Sequence, residues 1–143
     1  MLRLAGALLS VSLLCGCGDN SVTATPLRLT AAITPNPLSA PSGPGDISWD
    51  LQLSASGSGS ILILRADAQL LDSLGLTVGQ KQEFWSRCSV CTTDLRIEAG
   101  RTTRFSGNHI RHVGGAAPVR FVYTISYEDD LGPGTTTVEV PIR

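Results

Sequence analysis

The sequence predicts an all-β domain: a single antiparallel β-sandwich of about seven strands. Two observations carry that expectation. Apolar and polar residues alternate with a period of two in one segment after another, the pattern of strands with one buried and one wet face. Glycine- and proline-bearing turns separate these segments, and no sustained helical spacing runs between them.

The first alternating segment is Leu27 to Ile33, with Leu27, Leu29, Ala31 and Ile33 on one face. Pro35, Pro37, Pro41 and Pro44, with Gly43 and Gly45, then forbid helix and central strand alike, so this stretch is expected to be a rigid crossing. Ile47 to Ser54 is the cleanest strand signal, placing Ile47, Trp49, Leu51 and Leu53 on one face and Ser48, Asp50, Gln52 and Ser54 on the other. After the Ser/Gly linker from Ala55 to Ser60, Ile61 to Leu70 reads as a central strand. A short helix from Asp67 to Leu74 is the alternative, because Leu70, Leu71 and Leu74 also fit helical spacing.

Leu95 with Ile97, then Thr102 to Ser106, Val119 to Tyr127, and Val138 to Ile142 complete the set. The last two are expected to form a hairpin around Asp129–Gly134, which supplies the Asp, Pro and Gly that tight turns use. The number of strands in about 115 residues resembles immunoglobulin-like or fibronectin type III sandwiches. The resemblance is one of architecture, and fold does not imply function.

Apolar residues number 60 in the 143-residue chain, yet 11 of them fall within the first 16 positions. Met1-Leu2-Arg3 followed by the 11-residue apolar stretch Leu4–Leu14 has the form of an export signal and is too short to span a bilayer. Next comes Leu14-Cys15-Gly16-Cys17, which resembles the lipobox of bacterial lipoproteins. The resemblance implies cleavage before Cys17 and a diacylglyceryl group on its sulfur, so the membrane is an expected partner through lipid on Cys17. An alternative box ending at Cys15 fits worse. Gly18 follows the cysteine, where an aspartate would favour inner-membrane retention in enteric-type bacteria, so the implied address is the envelope, with the outer membrane favoured. The expected organisation is a signal peptide at 1–16, a lipidated N-terminus and flexible tether at 17–26, and the sandwich at 27–143.

Without the leader, 10 basic and 12 acidic residues remain, a net charge of about −2 with neutral histidines, which argues against general nucleic-acid binding. Six arginines (87, 96, 101, 104, 111 and 120) fall within 34 positions that hold only Asp94 and Glu98. Arginine forks suit phosphate or carboxylate, so an acidic envelope polymer or protein is a conceivable partner. Alternating polar residues that coat wet sheet faces explain the same pattern.

Cys88-Ser89-Val90-Cys91 in an exported chain predicts a disulfide across a small loop. The motif lacks the βαβ setting of a redox centre, and Thr92 stands where haem attachment needs histidine. A second reading joins Cys88 and Cys91 to His109 and His112 as a sulfur/imidazole metal site. Its spacings are wrong, with 17 residues between Cys91 and His109 and two between the histidines, whose three-residue offset on a strand would point them to opposite faces. They converge only if glycines 107, 114 and 115 make that segment a loop, and the plain expectation is two exposed loop histidines. Asp129-Asp130 lacks calcium-loop spacing. No nucleophile elbow is present, and no carboxylate lies near either histidine in sequence. No cofactor, metal or catalysis is therefore expected; a small enzyme with a site assembled only in three dimensions is the remaining alternative. The expected role is binding or scaffolding toward an unknown envelope protein or polymer, through end loops or an added edge strand. The segments to inspect are Pro35–Gly45, Phe84–Thr93 with Trp85, and Gly107–Gly115.

Overall fold

The computed structural model describes residues 25–87 and 94–143. Eight strands run in order: β1 (Arg28–Thr34), β2 (Gly45–Ser56), β3 (Ser60–Leu71), β4 (Thr77–Ser86), β5 (Arg96–Glu98), β6 (Thr102–His112), β7 (Arg120–Asp129) and β8 (Gly132–Pro141). They form two sheets, β1-β2-β6 and β4-β3-β7-β8, with β5 paired to β3 next to β4. Every strand pairing is antiparallel. The expected single antiparallel sandwich is what forms: β2 pairs with β6, β3 with β7 and β7 with β8, so the chain passes between the sheets at β2–β3, β5–β6 and β6–β7.

Alternation sets the layers. On β2 the row Ile47, Trp49, Leu51 and Leu53 is buried while Asp46, Ser48 and Gln52 face water. On β7 the row Phe121, Tyr123 and Ile125 meets it from the opposite sheet. Trp49 lies 4.5 Å from Phe121 and 4.9 Å edge-on to Phe84, ring to ring, so aromatic packing joins the layers at mid-height. Burying each large apolar side chain contributes about 1.5–3 kcal/mol. The β7–β8 hairpin runs without a bulge from Arg120↔Pro141 to Asp129↔Gly132. Within it the ring of Tyr127 lies so close over Gly134 that a Cβ there would sit 2.5 Å from it, which fixes glycine at this position.

Three expectations need correction. The segment 77–86 forms β4, which alternation did not announce: as an edge strand it buries only Val78 deeply. It also carries register shifts opposite Ala66/Asp67 and Ala68/Leu70, and shifts of that kind erase a period of two. Phe84 to Ser86 are accordingly strand residues. The segment from Gly107 to His112 is likewise no loop; β6 continues through it. Gly107, at φ +75°, sits in a bulge where the pairing steps from Trp49↔Asn108 to Leu51↔Phe105. Of the two readings for 67–74, strand holds through Leu71.

The proline-rich crossing carries a core residue. After cis peptides at Thr34-Pro35 and Asn36-Pro37 the chain leaves the first sheet, and Leu38 bridges Ile142 in parallel fashion. The Leu38 amide donates to the Pro141 carbonyl at 2.9 Å, and the Arg143 amide donates to the Leu38 carbonyl at 3.0 Å. The Leu38 side chain is fully buried. Leu38→Ala should therefore cost about 2–5 kcal/mol of stability, read from the guanidinium unfolding midpoint, despite lying in a segment with no long regular element.

Candidate functional site

Strand direction gives the sandwich two distinct ends. The chain enters at 25–27 beside the β2–β3 turn and the β7–β8 turn; the Ser58 hydroxyl reaches the Thr25 carbonyl at 3.5 Å, and Leu131 occupies the hairpin tip. The opposite, distal end collects the 35–44 crossing, the 72–76 turn, the 113–119 loop and the C-terminus. Among the described residues, five large apolar side chains are exposed: Leu74, Leu76, Val113 and Val119 stand at the distal end and Leu131 at the other.

The distal residues sit on ordered backbone. Asp72 Oδ1 accepts from the amides of Leu74 and Leu76, both at 2.9 Å, and the Val119 amide donates to the Leu71 carbonyl at 2.8 Å. Val113 lies beside Gly79 and with it lines a cleft of about 590 Å³ that runs between the free edges of β4 and β6, walled also by Lys81, Glu83 and Arg111.

An ion-pair network on the outer side of β3 and β4 holds the cleft's β4 wall. Arg65 donates to both carboxylate oxygens of Asp67, with contacts of 2.8–3.0 Å, and lies 3.3 Å from Glu83; Lys81 reaches Asp67 at 3.2 Å. Burial opposes the Asp67 charge, yet the hydrogen bonds and charges of Arg65 and Lys81 outweigh it and hold the carboxyl below its ordinary value. Tyr123, behind this network, is pushed up to about 12 by burial and by the Asp67 charge. Away from the cleft, the Asp50 carboxylate on β2 accepts from Arg104 at 2.8 Å and from the Gly107 amide at 3.1 Å, both on β6. Those bonds lower its pKa, Arg104 foremost, and tie the bulge to β2.

A second recess of about 80 Å³ opens between the sheets and is lined by Phe84, Trp85, Phe105, Tyr123 and Asn108 among others. Trp85 is half-buried there and is not a free anchor. Asn108 spends its amide on the Phe105 carbonyl at 2.9 Å.

The sequence-predicted residues are distributed as follows. Cys17, Cys88 and Cys91 lie outside the described residues. His109 is exposed on the outer face of β6, whereas His112 is buried on the inner face; the expectation of two exposed loop histidines fails because β6 runs through both. The two imidazoles face opposite sides, so they do not form one ligand pair. Among the described residues no group of three His, Cys, Asp or Glu side chains is placed to hold a metal ion. Five of the six clustered arginines are matched to carboxylates: Arg87 and Arg96 to Asp94, Arg104 to Asp50, Arg111 to Asp46 and Arg120 to Glu139. They divide between both sheets and form no single cationic face. Asp129 turns its carboxylate onto the Leu131 amide at 2.8 Å, the turn role expected of it.

No family model and no curated protein matches the chain. Among solved structures it is similar to a Bordetella pertussis protein assigned as ApaA, with 12% identity and a TM-score of 0.53 over 83% of this chain and 97% of that one. A second structural-genomics target shares 11% identity at a TM-score of 0.45, covering 80% of this chain and 85% of its own. The first likeness shows the fold alone, and the second carries no argument.

Two outcomes follow from this geometry. The lowered Asp67 pKa makes its contribution to stability present above the unfolded-state value of 3.8 and lost as pH falls through the native one. Asp67→Asn should melt below wild type at pH 7, and the gap should close as the solution is acidified below about pH 4. His112 is buried with neither ring nitrogen hydrogen-bonded. An unsatisfied buried polar group costs about 1–3 kcal/mol, so His112→Leu should raise the unfolding midpoint by an increment of that order.

Proposed function

We propose that this chain is a lipid-anchored cell-envelope lipoprotein whose sandwich is a non-catalytic binding or scaffolding module, engaging an envelope partner at its distal end. The observation that carries the reading is the separation of functions along the molecule: the chain enters at one end, and four of the five exposed large apolar side chains of the described residues gather at the other. The lipobox resemblance at Leu14–Cys17 supports the anchor on Cys17, with the outer membrane as the favoured address. Two or three acyl chains hold a protein stably where one binds marginally.

The neutralised arginines favour a protein surface over a polyanion, and the net charge of about −2 leaves nucleic acid without an electrostatic driving force. Opposed histidines weaken the metal-module alternative. Cys88 and Cys91 are assigned to a disulfide that pins the β4–β5 connection, a local staple of modest effect because the loop is short.

The test is in-cell crosslinking of the native lipidated protein with two variants. Cys17→Ser should move the protein from the membrane to the soluble fraction. The doubly substituted Leu74→Asp, Leu76→Asp variant should stay in the membrane fraction with an unchanged melting temperature and lose its crosslinked partner. Membrane retention of Cys17→Ser would refute the anchor, and an undiminished crosslink in the Asp variant would refute the distal contact surface.

A further inference from the structure

We infer that the chain-entry end of the sandwich rests on the lipid surface itself, with Leu131 as the inserted side chain; this rests on the proposed lipidation of Cys17. Seven residues separate Cys17 from Thr25, where the described chain begins. Those eight steps reach at most about 28 Å fully extended and about 16 Å on average as a flexible tether. The hairpin β7–β8 alone spans about 30 Å from end to end over its ten paired positions. A domain standing on its distal end would hold Thr25 at least that far from the bilayer, beyond the full reach of the tether. Between the two ends that expose apolar side chains, the tether therefore selects the one carrying Leu131.

That end is built for shallow contact. Leu131 is 84% exposed, the most exposed large apolar side chain of the described residues. It sits on a turn with little freedom to withdraw: its amide is bonded to Asp129, and Asp129 and Gly132 close the hairpin ladder on either side. Pro26 and Leu27 border the same recess of about 210 Å³, so the tip has an apolar neighbour on the side from which the tether arrives. Asp129 and Asp130 flank the tip, a charge that anionic headgroups would repel. The occupant is therefore a zwitterionic lipid surface, contacted by insertion of an apolar side chain and held there by the high effective concentration that the tether imposes.

The experiment uses the full lipidated protein in phosphatidylethanolamine/phosphatidylcholine vesicles, with an environment-sensitive fluorescent residue encoded at position 131 or, for comparison, at position 74. Doxyl-labelled lipid should quench the probe at 131 at least severalfold more than the probe at 74, and aqueous iodide should show the reverse order. Raising the salt concentration should leave both patterns unchanged. Equal iodide quenching at the two positions in protein that still floats with the vesicles would overturn the docking and leave the anchor intact. Flotation that survives Cys17→Ser would overturn the anchor, and the docking argument with it.

Discussion

The sandwich depends on one contact, the meeting of Trp49 on β2 with Phe121 and Tyr123 on β7 and Phe84 on β4. The five-stranded sheet and the three-stranded sheet share no strand ladder. Whatever fixes their separation and rotation must be side chains, and the largest of these converge here. The indole is buried with its Nε1 unpartnered, a polar cost set against the packing of the ring. With this contact set, the smaller rows above and below it, Leu51 and Leu53 toward one end and Ile47 with Ile110 toward the other, fall into place by alternation alone.

What the contact secures is a rigid spacer. Turns at each end then inherit fixed positions from strands that cannot slide, because a one-residue slip would turn Ile47, Trp49, Leu51 and Leu53 to water. The distal turn is further stiffened by Asp72, and the entry-end turn by Asp129, each through bonds from backbone amides to its own carboxylate. The same device thus serves both ends of the molecule, one proposed to meet lipid and the other a partner. Exposed leucines beside these capped turns are costly to leave in water and are held where they cannot fold back, which is why they carry the functional reading.

Strands whose faces differ in solvent exposure were legible in the sequence: β1, β2, β3 and β7 follow from alternation to within a residue or two, whereas β8 was read only from Val138 and in fact begins at Gly132, inside the expected turn. β4 was not legible because an edge strand with one deeply buried side chain has no second face to contrast with the first. His112 was misplaced for a related reason. Gly107, Gly114 and Gly115 look alike in one dimension, but only the first sits in a bulge that the Asp50 carboxylate and the Asn108 amide tie into the ladder. Leu38 hid among prolines, where no periodicity exists to mark a buried residue. Of the distal end, the segments Pro35–Gly45 and Gly107–Gly115 stood out in the sequence, but the exposure of Leu74, Leu76 and Val119 did not, because it is decided by turns and not by composition.

The flank between β4 and β6 is poorly suited to strand addition. Strand addition needs a flat edge with a run of free amides and carbonyls in register. β4 offers an edge interrupted by two register shifts, with Lys81 and Glu83 engaged in the Arg65–Asp67 network, and β6 offers one interrupted at Gly107, with Arg104 and Arg111 on its outer face. Bulges and charged side chains are how sheets keep free edges from pairing with other chains. The lipid anchor proposed above would give that protection a use, because every anchored neighbour would present the same edges. The β4–β6 flank is thus guarded against strand addition, and the rigid interior centred on Trp49 gives the loops at the far end a fixed base.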